Sequence, residues 1–195
     1  MSAFGLESFA SVESVAVEIY TSSYRVAGTI HTPFRRVAEI LNQLPSGHVA
    51  IDDASITEHA APAAPSHAAV ALVAVDEILV MLAPALAGEP RAEMRIQKQA
   101  ASASLSMPPL RLAGTVHVPV GSRPVDGLLN VAERFMPMTD VTLTSAAYPE
   151  LDRQIPILAV RRDRAQVLVV TERGAAADGG PRSEGPDDEG GGPAL

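Results

Sequence analysis

The sequence predicts an α+β, mainly β protein made of two tandem units of one design. The first observation is a repeat: RVAGTIHTP (25–33) returns 86 positions later as RLAGTVHVP (111–119). The second is that a short amphipathic stretch follows each copy, with apolar runs around it. Each unit is therefore expected to run β-β-α-β-β-β and to form a small open barrel or curved sheet, with the two units related by a pseudo-twofold axis.

A strand pair opens each unit. In SVAVEIY, the residues Val15, Val17 and Ile19 alternate with their neighbours, as a half-buried strand requires. TSS (21–23) then supplies a turn, and YRVAGTIH returns as the second strand. The second copy turns through MPP (107–109) instead.

A short helix is predicted next. Thr32 followed by Pro33 is typical of an N-cap with proline in the first helical turn. The following RRVAEILNQL places its apolar residues on one stripe. In the second copy, Gly121 and Ser122 make the turn and Pro124 lies in the first helical turn.

Three further strands complete each unit. HVAIDDASI (48–56) and DVTLTSAAY (140–148) each predict a strand. EHAAPAAPSHAA (58–69) predicts a loop or extended connection that its prolines keep out of a central sheet position. In VALVAVDEILVMLA (70–83) and IPILAVRRDRAQVLVV (155–170), a charged break separates two apolar runs, which predicts a hairpin of two short strands.

Two pairs of repeated residues have expected structural roles. Gly28 and Gly114 lie inside strands, where glycine costs stability unless a bulge, a bend or a close backbone approach requires it. The repeat aligns Asn42 with Asn130, late in the two helices. Each is expected to hydrogen-bond a neighbouring loop or to terminate its helix.

The rest of the chain sets the boundaries. An N-terminal segment (1–13) precedes unit one (14–82), and APALAGEPRAE (83–93), with its prolines and glycine, is typical of a linker to unit two (94–173). The tail 174–195 is rich in Gly, Pro and acidic residues and has no apolar stripe, which predicts disorder.

Composition narrows the function classes. The net charge is −8 and no part of the chain is basic, so nucleic-acid binding is not expected. The chain has no Cys, which excludes disulfides and thiolate chemistry and agrees with a reducing compartment. No run reaches the roughly 18 apolar residues of a membrane helix. We therefore expect a cytoplasmic protein that binds neither nucleic acid nor membrane.

The repeated motif also carries a family resemblance. Arg, two residues, Gly-Thr, one residue, His, one residue and Pro, followed by Leu-Asn and a Thr-Asp-Val-Thr strand entry, resembles a family of small bacterial domains. The match is best at Arg111–Pro119, Leu128–Asn130 and Pro137–Val141, whereas the first copy has HVAID in place of TDVTL. Because no activity is attached to that family, the resemblance implies a soluble, duplicated bacterial domain and no catalytic residue.

Four repeated residues around the helix starts are candidates for a ligand or interface site. His31 and His117 each end a strand before a helix, where imidazole can act as a base, a ligand or a pH sensor. The alternative is that each packs beside its helix. Arg35 and Arg123 lie where helix NH groups favour anions. The alternative is a solvated arginine that covers an apolar edge with its stem.

Arg25 and Arg111, which begin the second strand of each unit, complete the candidates, and their alternative role is an ion pair within the domain. The first copy also holds four of the five histidines, at positions 31, 48, 59 and 67. Their spacing fits no compact pattern of metal ligands, even with Asp52 and Asp53 between them. We expect no metal and no cofactor.

No catalytic motif nominates a reaction: GxSxG, GxxxxGK[ST], GxGxxG after a strand, HExxH and the EF-hand loop do not occur. The sequence predicts a non-enzymatic protein-interaction or regulatory module, bound to another protein or to a further copy of the chain, because open strand edges can add a strand. The alternative is a sensor of a small anion or metabolite held near Arg35 or Arg123. An enzyme of unidentified class is the third.

Overall fold

The computed structural model describes residues 12–44, 47–86, 97–130 and 132–172. Within these ranges the protein is mainly β, with ten strands and two short helices, so the predicted mainly β class is confirmed. The predicted N-terminal segment up to residue 11, most of the predicted linker and the predicted acidic tail lie outside the described residues.

Each half contributes five strands and one helix. The first half contains β1 (Glu13–Tyr20), β2 (Tyr24–Thr32), α1 (Val37–Asn42), β3 (His48–Glu58), β4 (Ser66–Ala74) and β5 (Val80–Leu82). The second half contains β6 (Lys98–Met107), β7 (Leu110–Pro119), α2 (Pro124–Leu129), β8 (Phe135–Thr144), β9 (Arg153–Arg161) and β10 (Val167–Glu172). A 3-10 turn separates the fourth from the fifth strand in each half, at Val75–Glu77 and at Arg162–Arg164.

The ten strands form one open antiparallel sheet in the order β10-β6-β7-β8-β9-β5-β1-β2-β3-β4. Within each half the order is the same: fifth, first, second, third and fourth strand. The halves join where β5 pairs with β9, with Val80 opposite Val160 and Met81 opposite Ala159. Because the joined strands are the fifth of one half and the fourth of the other, the halves meet head to tail. The expected pseudo-twofold arrangement is therefore wrong for this junction.

The third strand of each half carries one irregularity at the same place. Pairing of β2 with β3 shifts register between Ala27 and Thr29, and pairing of β7 with β8 shifts between Ala113 and Thr115. An aspartate with positive φ lies at each shift on the other strand, Asp53 at 50° and Asp140 at 53°. Both shifts are β-bulges, which bend the strand that carries them.

Gly28 and Gly114 lie opposite these bulges. A Cβ added to Gly28 would lie 2.5 Å from the carbonyl oxygen of Asp52, and one added to Gly114 would lie 2.9 Å from that of Thr139. The bulged backbone approaches so closely that no side chain fits. Of the reasons expected for these glycines, the bulge and the close backbone approach are the ones observed.

The buried side chains of the described residues form two hydrophobic cores, one for each half, on opposite faces of the sheet. At the junction, Val80 and Val160 belong to the core of the second half, whereas Met81 and Ala159 belong to the core of the first. Neighbouring side chains of a strand point to opposite faces. The junction strands are therefore buried on both sides.

The first helix starts later than expected. α1 begins at Val37 with Arg36 as N-cap and no side-chain cap hydrogen bond, so the predicted cap at Thr32 is wrong. The hydroxyl of Thr32 instead accepts a hydrogen bond from the main-chain NH of Phe34, 3.1 Å away, within the preceding loop. α2 begins at Pro124, within the predicted first turn.

Helix hydrogen bonds also correct the alignment of the two helices. The bond from Ile40 N to Arg36 O corresponds to the bond from Gly127 N to Arg123 O, at a spacing of 87 positions. The sequence alignment placed the helices one position further apart. Asn42 therefore occupies the place of Leu129 and not that of Asn130.

The predicted hairpins at the end of each unit are wrong. β4 pairs with β3, whereas β5 pairs with β1 and β9, and β10 pairs with β6 and not with β9. The charged break forms a 3-10 turn that carries the chain from one edge of the half to the other. The NH groups of Val75 and Leu79 donate to the carbonyls of Gly47 and Tyr20, which fixes this path. Residues 66–69, predicted as part of a connection, belong to β4 at the sheet edge.

Candidate interaction surface

At the junction between the halves, the fifth strand of one half pairs with the fourth strand of the other. Besides the β5–β9 pairing, the NH of Arg161 donates to the carbonyl of Leu79 at 2.9 Å. α1 lies against β8 and β9. Asn42 closes the contact, because its amide donates to the carbonyl of Phe135 at 2.8 Å and accepts from the NH of Phe135 at 3.0 Å. Asn42 therefore hydrogen-bonds as expected, but its partner is the first residue of β8 in the other half and not a neighbouring loop.

Ion pairs strengthen the junction on the side of the 3-10 turn. Arg161 Nη1 donates to the carbonyl of Val75 at 2.9 Å and lies 3.4 Å from Asp76 Oδ1. Arg164 donates to the carbonyl of Asp76 at 2.8 Å. Arg134 forms a short ion pair with the Asp76 carboxylate, and its hydrogen bond holds the pKa of that carboxyl below its ordinary value. Arginines of the second half therefore bind main-chain and acidic groups of the first.

A second polar cluster joins the halves around the carboxylate of Glu18 on β1. Arg25 of β2 forms a short ion pair with Glu18 Oε1, and Nη2 of Arg153 on β9 lies 2.8 Å from the same oxygen. The hydroxyl of Tyr20 donates to it as well. Burial raises the pKa of Glu18, but the hydrogen bonds from Tyr20 and Arg25 and the charge of Arg153 outweigh burial, so the pKa lies below its ordinary value. Burial, together with the hydrogen bond to Glu18, raises the pKa of Tyr20.

Two strands at the ends of the sheet have an edge that no described strand covers. β4 pairs with β3 alone and β10 with β6 alone in the described part of the chain. Exposed apolar side chains concentrate on these two strands: Val70 and Leu72 on β4 are 54% and 68% exposed, and Val167 and Val169 on β10 are 55% and 53% exposed. β4 takes the place in the first half that β9 takes in the second, and β10 takes the place of β5.

The two candidate histidines lie apart from these edges and make local contacts. His31 Nδ1 lies 3.1 Å from the hydroxyl of Ser14, and its Nε2 lies 3.2 Å from Asp52 Oδ2. His117 Nε2 lies 3.2 Å from the hydroxyl of Thr139. Both rings are exposed on the sheet surface and contact the neighbouring strands. The structure does not bring them together.

The candidate arginines at the helix starts bind carboxylates of the chain itself. Arg35 Nη2 lies 2.8 Å from Glu13 Oε1. Arg123 donates to both oxygens of Asp126, at 2.7 Å and 3.1 Å, and this hydrogen bonding lowers the pKa of Asp126. Each guanidinium therefore already faces an acid, which is the arrangement expected of an ion pair and not of an open anion site.

Arg25 and Arg111 have different surroundings. Arg25 belongs to the Glu18 cluster, which agrees with its alternative role in an ion pair within the domain. Arg111 is exposed on β7, opposite Ser106 and Thr144. The six candidate residues thus do not form a common site.

The described ranges contain neither a metal-ligand cluster nor a helix that could span a membrane. In those ranges no group of three or more His, Asp or Glu side chains is placed to hold a metal ion. The helices within them are too short and too polar to cross a membrane.

Comparison of the chain with family models, with curated proteins and with solved structures gives no match. The resemblance of the repeated motif to small bacterial domains therefore stays a prediction.

Sequence reasoning missed the two edge strands as a surface. The relevant signal was present in the unbroken apolar runs VALVA (70–74) and VLVV (167–170). An apolar residue on each face of such a strand marks it as covered on both sides. Only the sheet order shows which copy of each strand is covered.

Proposed function

We propose that the protein is a non-enzymatic protein-interaction module, built from two copies of one β-β-α-β-β-β unit, that binds partner chains by strand addition to β4 and β10. The observation that carries this proposal is the position of Val70, Leu72, Val167 and Val169. These exposed apolar side chains lie on the strands that correspond to the buried junction strands. An exposed apolar edge of this kind is typical of an interaction site.

The composition of the two edge strands supports the proposal. Natural sheets usually protect an edge with Lys, Pro, a bulge or another charged residue. β4 reads SHAAVALVA and contains no Lys, Arg, Asp, Glu or Pro, and β10 reads VLVVTE with its single charge at the end. Neither strand carries the usual protection, so no charge or proline within these edges opposes pairing.

The repeated pairing supports two copies of one unit. Both halves share the strand order, the place of the bulge and the aspartate with positive φ. We infer that each half is also strongly curled. Four strand spacings of about 4.8 Å separate β5 from β4, about 19 Å in a flat sheet. The connection between them, Val75–Leu79, contains a 3-10 turn that rises only about 2 Å per residue, so the connection can span only about 15 Å. Because this span is shorter than the distance across a flat sheet, the sheet of each half has to curl.

The rival functions have less support. A small-anion sensor needs a free cationic group, but Arg35 and Arg123 both bind carboxylates of the chain. An enzyme needs titratable groups that converge, and the exposed His31 and His117 lie on different halves with no shared partner. A cytoplasmic location remains part of the proposal, supported by the absence of Cys.

Peptide capture by matched variants tests strand addition. The full chain is panned against a display library of random linear peptides, and the enriched peptides are measured for affinity. Leu72→Lys and Val169→Lys each place a charge where an added strand would cover it, so one or the other should weaken binding by about tenfold or more. Val120→Lys is the control, because Val120 is 56% exposed in the turn after β7 and lies on neither edge. Failure to enrich any peptide, or equal binding by all three variants, contradicts the proposal.

A further inference from the structure

We propose that the occupant of the free edges is a second copy of this chain, docked head to tail so that β4 of one copy pairs with β10 of the next. The inference rests on the proposed function, since it names the partner for the same two edges. Its basis is the internal junction, where a fourth strand already pairs with a fifth strand in this fold.

The junction defines the register of the proposed contact. The turn bonds from Ile78 N to Val75 O and from Ala165 N to Arg162 O occupy corresponding places, 87 positions apart. At the junction Val80 of β5 lies opposite Val160 of β9, and Met81 lies opposite Ala159. The spacing of 87 converts these pairs into Val167 opposite Val73 and Leu168 opposite Leu72 of another copy. β10 has six residues and β4 has nine, so six residue pairs can form where the short β5 forms two.

The exposed side chains of the edges correspond to residues that the junction buries. Val167 and Val169 take the places of Val80 and Leu82, which are both buried against the core of the other half. On the opposite edge, Leu72 takes the place of Ala159, which is fully buried. Head-to-tail docking therefore covers the apolar groups of both edges at once.

The second helix presents a matching surface. Asn42 of α1 bonds to β8, and Ala38, four residues earlier and therefore on the same side of the helix, is buried. The same places on α2 hold Val125 and Leu129, and both are exposed apolar residues. In the proposed contact, α2 of the copy that supplies β10 lies against β3 and β4 of the copy that supplies β4. The edges and α2 together account for six of the nine exposed large hydrophobic residues in the described part of the chain.

The proposed contact lacks the ion pairs that Arg161 and Arg153 form at the junction. The places of Arg161 and Arg153 are taken by Ala74 and Ser66, which cannot reach an acid across the interface. Association is therefore expected to be reversible and to depend on concentration. Because a head-to-tail contact leaves one edge free at each end, it extends into a chain of copies or closes into a ring.

Sedimentation of the full chain over a concentration series tests the inference. The average mass of the native protein should rise with concentration above the 20.3 kDa of one chain. Leu72→Lys and Val169→Lys should each remain at the mass of one chain, while the Val120→Lys control should associate like the native protein. Matching circular dichroism and urea midpoints confirm that the variants are folded.

A mixture of the two edge variants identifies the geometry. Leu72→Lys keeps a usable β10 and Val169→Lys keeps a usable β4, so their mixture should form a dimer of one copy of each. The inference is overturned if the native protein keeps the mass of one chain at every concentration, if either variant alone associates, or if the mixture forms no complex. Peptide capture that depends on the edges, with no association of the chain, contradicts self-docking but leaves strand addition standing. If neither occurs, both proposals fail.

Discussion

At the scale of single residues, the space that the backbone leaves limits which side chains fit at a position. The sequence predicted that a bulge, a bend or a close backbone approach requires glycine at Gly28 and Gly114, and the structure places the bulges at Asp53 and Asp140 opposite them. The candidate histidines and arginines were not predictable in the same way. Their role depends on residues such as Asp52 and Glu13, which the fold brings beside them from distant parts of the sequence.

Glu18 leads to a prediction on pH. Its pKa is lowered in the folded protein, so its contribution to stability is full above the unfolded-state pKa of about 4.3 and is lost as the pH falls through the lower folded value. Glu18→Gln should lower the free energy of unfolding at neutral pH and flatten its decline in that acidic window. Urea unfolding from pH 7 to pH 2 measures both effects.

The matched control for this prediction is Glu13→Gln, which removes a more exposed carboxylate paired with Arg35. Its effect at neutral pH should be smaller, because exposed ion pairs contribute at most about 1 kcal/mol. An acid profile of Glu18→Gln that coincides with that of the native protein refutes the assigned role of Glu18.

At the scale of elements, periodicity predicted the strands but not all of their partners. The opening pair β1 and β2 has a short turn between its strands, so the local signal sufficed. β4 and β5 were expected to pair with each other because they are neighbours in sequence. β4 instead pairs with β3, the strand before it in sequence, whereas β5 pairs with the distant β1 and with β9 of the other half. No local pattern encodes such a choice.

α1 is one of the elements that join the halves, and Asn42 makes its hydrogen bonds to the second half. Asn42→Ala should lower the free energy of unfolding by about 1–3 kcal/mol, because it leaves the NH and carbonyl of Phe135 without their hydrogen bonds. Asn130→Ala, at the exposed end of α2, should change it by less than about 0.5 kcal/mol. Urea unfolding in dilute solution compares the two variants. Equal losses contradict the role given to Asn42.

At the scale of the whole molecule, one sheet serves two cores. The repeat and the alternating apolar runs sufficed to predict a mainly β chain. They did not predict that β5 and β9 would join the halves into a continuous sheet, because the same sequence pattern also fits two separate barrels. The free edges follow from this arrangement, since a head-to-tail junction always leaves one fourth strand and one fifth strand uncovered.

Amide hydrogen exchange of the full chain at low and high concentration tests most directly whether β4 and β10 pair with a second copy. We expect exchange in Ser66–Ala74 and Val167–Glu172 to slow as the concentration rises, approaching the rates of the junction strands. The turn at Val120 should exchange at a constant rate and serves as the internal control. Unchanged exchange of both edge strands, at concentrations where the native mass exceeds that of one chain, would contradict edge pairing.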